Sequence, residues 1–313
     1  MGERYLVTGG AGFIGNHIAR TLLERGHAVR IFDNFATGHR RNLVDIYDDI
    51  DLVEGDLRSI DACRRAVQGV TYVIHQAALP SVPRSIEDPH TTHEVNATGT
   101  LNLLVATREA DVKRLVYSSS SSVYGPAPKL PRVESDRPQP ISPYAVSKLA
   151  GEQYCAAFYH SYGLATVALR YFNVFGPRQG WDSPYAAALP RFIRALRRGE
   201  PAIVFGDGEQ GRDFTYVDNV VRANVLALEA ADAPGHVYNV GSGRKTTINQ
   251  LLAMTAAALN IEPRRSSQPA RAGEIRDSVS NIARARADLG YEPLVNMEEG
   301  LRRTIAWSLG QDD

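Results

Sequence analysis

The chain has 313 residues, about twice the commonest domain size, so one large α/β domain or two closely packed smaller ones is expected and a small disulfide scaffold is excluded. It is 43% hydrophobic and 22% charged, ordinary globular usage with enough apolar material for a sizeable core. Lys plus Arg and Asp plus Glu number 35 each, and the zero formal charge argues against a nucleic-acid binder or a polybasic membrane-surface protein.

Cys63 and Cys155 have no metal-like spacing and fall in helix-like segments, so no metal is expected and a reducing, cytoplasmic compartment fits best. Met1-Gly2-Glu3-Arg4 runs straight into the apolar Tyr5-Leu6-Val7, too short for a signal h-region, and Leu6 stands where an N-myristoylation signal needs Ser or Thr. No apolar run approaches the roughly 18 residues of a membrane span. A soluble chain is the expectation.

In chain order, short apolar strands at 5–8, 29–32, 51–53, 72–75, 115–118 and 165–171 alternate with helix-period segments at 13–25, 60–67, 91–109 and 144–162. Strands apolar on both faces, separated by helices, predict a doubly wound α/β fold around a buried parallel sheet. Beyond 171 the pattern loosens into Pro- and Gly-bearing loops, a helix over 189–198 and a turn-rich stretch at 205–211. Segments 214–228 and 237–240 again read as helix and buried strand. A first domain over 1–168 that takes back parts of 213–241 is therefore expected, with a second over 169–313. No internal repeat or low-complexity linker occurs, and the five serines at 118–122 read as a site loop.

Thr8-Gly9-Gly10-Ala11-Gly12-Phe13-Ile14-Gly15 follows the first strand and opens the first helix. Of Gly9, Gly12 and Gly15, one allows a tight turn, one lets backbone approach a pyrophosphate and one lets helix pack on strand. The helix start at Phe13 and Ile14 offers unpaired N–H donors to the anion. Asp33, ending the second strand, can accept bonds from the adenine ribose and repel a 2′-phosphate, which favours NAD over NADP. Arg40 and Arg41 nearby could instead serve a phosphate. Asp56 and Leu57, after the third strand, lie where an adenine could rest.

Tyr144 and Lys148 sit at i and i+4 on a predicted helix and share a face. A tyrosine with pKa near 10 is a poor base at pH 7, and moving it three units needs about 4 kcal/mol. A cation about 4 Å away supplies roughly that at an intermediate effective dielectric.

With these motifs stand HQAA at 75–78, NATGT at 96–100, SSSSSVYG at 118–125, YAVSK at 144–148, YFNVFGP at 171–177, GRDFTYVDN at 211–219 and RAGEI at 271–275. Over nearly its whole length the chain resembles the extended short-chain dehydrogenase/reductase family, and within it the UDP-hexose 4-epimerases. The resemblance implies a parallel Rossmann sheet with a smaller mixed α/β C-terminal domain for a UDP-sugar. It implies Tyr144 as acid/base, Lys148 as its pKa tuner and nicotinamide-ribose ligand, and Ser120 as partner of the reacting oxygen. Asn34, Gln76, Ala77, Ala78, Asn96 and Tyr171 would line the NAD path, although Asn96 also reads as a helix-start residue. Arg212 and Arg271 would clamp the diphosphate, Asn173 and Ala188 approach the sugar nucleotide, Val204 and Phe205 the uracil, and Glu274 the uridine ribose.

Related 4,6-dehydratases need an acidic pair after the catalytic hydroxyl, and decarboxylases a Glu before Val-Tyr-Gly. Here Ser121 and Ser122 stand instead, leaving oxidation and reduction at one carbon. Glucuronate-handling relatives tend to carry Thr where this chain has Asn173 and Arg where it has Gly180, so a neutral hexose is preferred. Ser278, where glucose-restricted epimerases carry a tyrosine, leaves room for an N-acetyl group. Two alternatives stay open: a UDP-uronic acid 4-epimerase or decarboxylase on the same fold, and a catalytically silent NAD-binding sensor, against which the intact Ser120, Tyr144 and Lys148 speak. In the family the helices at 91–109 and 144–162 build a homodimer contact. Leu101, Leu104 and Val105 are candidate contact residues, with an internal core role as the alternative.

Overall fold

In the computed structural model, residues 3–126, 129–180, 187–270 and 275–310 are described. The first half runs β1 (Arg4–Thr8), α1 (Phe13–Glu24), β2 (Ala28–Asp33), β3 (Ile50–Glu54), α2 (Ile60–Val67), β4 (Tyr72–His75), α3 (Val82–Glu87), α4 (Pro89–His93), α5 (Gly99–Glu109), β5 (Arg114–Ser120), α6 (Pro143–Tyr162) and β6 (Thr166–Tyr171). Then follow β7 (Val174–Phe175), α7 (Ala188–Arg197), β8 (Ala202–Phe205), β9 (Gly211–Arg212), β10 (Thr215–Tyr216), α8 (Val217–Glu229) and β11 (Val237–Val240). The chain ends with β12 (Thr246–Thr247), α9 (Ile248–Leu259), β13 (Arg265–Gln268), α10 (Ala283–Leu289) and α11 (Met297–Leu309).

Seven strands form one parallel sheet in the order β11-β6-β5-β4-β1-β2-β3. The order reverses between β1 and β4, where Thr8 faces His75, so the connections leave in opposite directions and open a crevice at the carboxyl edge. Alternation along each strand feeds two apolar layers. Leu6, Val73, Leu115 and Tyr117 pack towards α2, α5 and α6, whereas Val7, Ile74, Val116 and Leu169 pack towards α1 and α8. Both faces are covered, which is what a buried parallel sheet requires. The later elements pair in small sheets, β13 beside β8 and β9 beside β12, with α9 packed on α7 and α11.

Two elements differ from the sequence reading, and one open choice between contact and core is resolved for Leu104. The continuous helix expected over 91–109 is divided: Asp88 caps α4 through the Thr91 N–H at 3.0 Å, and Glu94–Thr98 form a π-helical turn before α5. Such a turn is a local change of hydrogen bonding inside an otherwise continuous helical segment and has no residue type of its own, so the sequence pattern does not reveal it. The helix expected from 214 begins at Val217, because Thr215 and Tyr216 are taken by pairing with Val174 and Phe175. Leu104, a candidate contact residue, is fully buried within the protomer's own core, and Leu101 and Val105 pack against the same cluster.

Candidate active site

Because the sheet is parallel, the loop after β1, the end of β2, the loop after β4 and the ends of β5 and β6 all emerge at one edge. At the first of these, Gly9 adopts φ +68°, and a Cβ there would lie 2.7 Å from the Ala77 nitrogen in the loop after β4. Gly15 is equally constrained: its Cβ would meet the Gly9 carbonyl oxygen at 2.2 Å. Gly12 caps α1 without a side chain, so the first-turn N–H groups around Phe13 and Ile14 face the crevice free of a competing cap. This cradle of backbone donors, kept open by missing side chains, fits a dinucleotide pyrophosphate.

Asp33 closes β2 and is buried. Its Oδ2 accepts from the Ala11 N–H at 2.9 Å and Oδ1 from that of Phe35 at 2.8 Å, tying the carboxylate to the glycine loop. Burial raises its pKa above the ordinary value against these donors. Asn34 donates to Asp56 Oδ2 at 2.9 Å, and the Arg58 side chain holds the Asp56 carboxyl down at about 2. Leu57 is buried behind them. Arg40, which the sequence left open as a phosphate ligand, pairs with Glu54 at 2.5 Å and stacks on Phe35.

Gln76 donates to the Tyr171 hydroxyl at 2.9 Å, so residues after β4 and at the end of β6 meet, with Asn224 of α8 beside both. Ala77 donates its N–H to Thr8 Oγ1 at 3.2 Å. Ala78 leads to Leu79, whose N–H and carbonyl are both engaged by the amide of Asn96 at 2.8 and 3.3 Å. Asn96 also donates to Ser147 Oγ at 3.1 Å, so from its π-helical turn it fixes the loop after β4 against α6.

The catalytic candidates sit on β5 and α6. Ser142 caps α6 through the Ala145 N–H at 3.2 Å and Pro143 holds its first position, so Tyr144 and Lys148 lie in its first two turns. Ser120 Oγ accepts from the N–H and hydroxyl of Ser122 at 3.2 and 2.9 Å and hydrogen-bonds the Tyr144 phenol. Burial raises the Tyr144 pKa, and the Ser120 bond works against it. Lys148 is buried, its ammonium 4.9 Å from the centre of the Tyr117 ring. Burial pulls Lys148 down to about 7, opposed by the negative charge of Glu152.

On the substrate side, Arg212 is nearly buried in β9 and donates to the Gly211 and Arg276 carbonyls at 2.9 and 2.7 Å. It bridges Ser278, whose N–H and carbonyl are held by Gly211 and Asp213. Asn173 is exposed just before β7, and Ala188 is half-buried in the first turn of α7. Val204 is buried in β8, and Phe205 lies under the Arg191 guanidinium at 5.3 Å. Arg271 and Glu274 lie outside the described residues.

Several groups here escaped the sequence reading. Buried His75 bridges Thr8 Oγ1 at 2.7 Å and Thr100 Oγ1 at 3.0 Å, and burial drives its pKa down to about 3, so it serves as a neutral strut. Fully buried Asp213 accepts from the N–H groups of Ser242, Gly243 and Ser280 and from both serine hydroxyls, pinning the segment after β11 and the one carrying Ser278. Glu152 pairs with Arg170 at 2.8 Å. For Glu152 and Arg170 the signals in the sequence were an acid one turn after Lys148 and a charge in the middle of an apolar strand; His75 and Asp213 lay inside HQAA and GRDFTYVDN with no role read for them.

A switch-point crevice with a glycine cradle and a Ser–Tyr–Lys set at its edge defines a dinucleotide-dependent enzyme of the doubly wound α/β class. The chain belongs to the NAD dependent epimerase/dehydratase family, which matches residues 5–241. It is 36% identical over 304 residues to a putative UDP-glucose 4-epimerase of Methanocaldococcus jannaschii, covering 96% of this chain and 97% of that one. Among solved structures it is similar to the Thermus thermophilus UDP-glucose 4-epimerase complex with NAD, at 39% identity, TM-score 0.91, and 98% and 99% coverage. It is also similar to the UDP-N-acetylglucosamine 4-epimerase of Methanobrevibacter ruminantium in complex with UDP-N-acetylmuramic acid, at 38% identity, TM-score 0.94 and 99% coverage of both chains. The chain is an NAD-dependent enzyme. Among the described residues no helix is long and apolar enough to cross a membrane.

Proposed function

We propose that the protein is a UDP-hexose 4-epimerase that inverts C4 through a transient 4-keto sugar, acting on UDP-N-acetylglucosamine and its galacto epimer, on UDP-glucose and UDP-galactose, or on both pairs. The observation that carries this reading is the bond from Ser122 Oγ to Ser120 Oγ at 2.9 Å. Where a dehydratase or decarboxylase would need a carboxyl group, a hydroxyl is spent on supporting Ser120, and one proton-transfer group, Tyr144, remains for one carbon. The relatives named for UDP-glucose and UDP-N-acetylglucosamine 4-epimerisation support it.

NAD, held by the residues named below, would supply reversible hydride chemistry at C4. Tyr144 takes the O4 proton as the hydroxyl becomes a carbonyl and returns it after reduction from the other face. Ser120 holds the reacting oxygen, and Lys148 stabilises the phenolate when charged. Gly9, Gly12, Phe13, Ile14 and Gly15 would hold the pyrophosphate, Asp33 and Asn34 the adenine ribose, and Asp56 and Leu57 the adenine. Gln76, Ala77, Ala78, Asn96 and Tyr171 would line the nicotinamide side. Arg212 with Arg271 would take the diphosphate, Asn173, Ala188 and Ser278 the sugar, and Val204, Phe205 and Glu274 the uridine. In this division 1–168 with parts of 213–241 forms the NAD domain and 169–313 otherwise the UDP-sugar domain.

Two further features are proposed. A homodimer is supported by exposed Val146 and Tyr154 on α6 and Ile86 on α3, an apolar strip on the outer side of the sheet layer. A cytoplasmic location is supported by Cys63 and Cys155, both buried and unpaired. The test of function is to incubate the protein separately with UDP-N-acetylglucosamine, UDP-glucose and UDP-glucuronate and identify products by NMR. A C4 epimer of a neutral sugar is expected; conversion of UDP-glucuronate alone would replace this reading with the uronic acid alternative.

A further inference from the structure

The helix that carries Tyr144 and Lys148 also carries a buried ion pair that the proposed reaction does not use. Glu152 lies one turn beyond Lys148, at the spacing that puts both side chains on one stripe of α6. Its oxygens accept from Arg170 Nε at 2.9 Å and Nη2 at 2.8 Å, and the Ser119 hydroxyl donates to the same carboxylate. Arg170 comes from the carboxyl half of β6, with its guanidinium 4.6 Å from the centre of the Tyr124 ring. Ser119 immediately precedes Ser120. One carboxylate therefore joins the strand end bearing Ser120, the helix bearing Tyr144 and Lys148, and β6. Stability alone explains this poorly, because buried ion pairs gain little over well-packed apolar replacements.

We propose that Glu152 is a positioning residue of the active site, holding the Ser120 strand end against α6 and supplying the counter-charge that keeps Lys148 protonated beside Tyr144. Its consequence for turnover rests on the epimerase reading. The groups facing Lys148 are Glu152 and Cys155 from α6, His75 from β4 and the Tyr117 ring from β5. His75 is held neutral by burial, and burial pushes the Cys155 thiol up, so Glu152 is the anion among them. Removing its charge takes away the largest contribution that opposes desolvation of Lys148.

The chain has four lysines, at 113, 129, 148 and 245, so a 13C-lysine NMR titration of the NAD-saturated protein resolves Lys148, assigned by its loss in Lys148→Arg. The variants are Glu152→Gln and the double variant Glu152→Gln/Arg170→Met, which removes the guanidinium that the single variant leaves without its carboxylate and decides the matter if the single variant does not fold. The Lys148 midpoint should fall by roughly one unit or more in both variants, and the alkaline limb of kcat/KM should move down with it. A Lys148 midpoint in the double variant equal to wild type would overturn the proposal and leave Glu152 a purely structural residue. If the wild type converts no UDP-hexose, the epimerase reading fails, while the midpoint still decides the role of Glu152.

Discussion

Tyr144 carries the burden of proton transfer in this account, and its surroundings define what substitution should do. Tyr144→Phe removes the phenol that bonds Ser120 but keeps the ring. Turnover should fall by about 10²–10⁴-fold, while NAD still raises the melting temperature as in wild type. Near-wild-type kcat would remove the tyrosine from the reaction. Lys148 offers a pH test. Its pKa is lowered to about 7 in the folded protein, so between that value and the unfolded lysine value the unfolded chain binds more protons and stability rises with pH. Below pH 7 the full penalty of burying the charge is present. Lys148→Met should raise the melting temperature by about 2 °C or more at pH 6, the gain shrinking towards pH 10, while activity is lost; a gain independent of pH would show that the ammonium is not strained by burial. Ser278 tests sugar size. Its backbone is held on both sides by Gly211 and Asp213, so a larger side chain cannot retreat. Overpacking of about 1–3 kcal/mol in Ser278→Tyr should cut kcat/KM for UDP-N-acetylglucosamine roughly ten- to a hundredfold relative to UDP-glucose; an unchanged ratio would mean that Ser278 does not face the sugar.

At the scale of elements, the turn from β1 into α1 is set by contact rather than by propensity. The Gly15 Cβ position overlaps the Gly9 carbonyl oxygen, so Gly15→Ala must push α1 away from the loop. The expected result is a protein destabilised by about 1–3 kcal/mol whose melting temperature no longer rises on adding NAD; an undiminished rise would contradict the cradle. The glycine loop, the seven strands of the sheet and the Tyr144–Lys148 pair were legible because each carries a local pattern: a glycine spacing, an apolar run, an i, i+4 pair. Glu152 and Arg170 each left only a lone charge, and their pairing was not legible because it comes from α6 and β6 lying side by side. The π-helical turn at Glu94–Thr98 was hidden because it changes only the hydrogen bonding inside a helical segment and no residue type marks it. Arg265–Gln268 has no strand pattern of its own and becomes β13 only by pairing with Ala202–Phe205.

At the scale of the molecule, the parallel sheet explains why residues as distant in sequence as Gly9, Asp33, Gln76, Ser120 and Tyr171 share one edge, while β9 and the segment holding Ser278 form the proposed substrate side. The remaining apolar surface on α3 and α6 argues for a partner. Light scattering at micromolar concentration should give a dimer mass for the wild type and a monomer for Val146→Glu, where a charge would be buried at the contact; a monomeric wild type would refute the dimer. The central claim is that one carbon is oxidised and reduced within one crevice without exchange. It is tested most directly by incubating the protein with UDP-glucose or UDP-N-acetylglucosamine deuterated at C4 and following both the label and the absorbance at about 340 nm. The account predicts both C4 epimers with deuterium retained at C4 and no accumulation of NADH; loss of the label to solvent, or NADH formed in step with product, would contradict it.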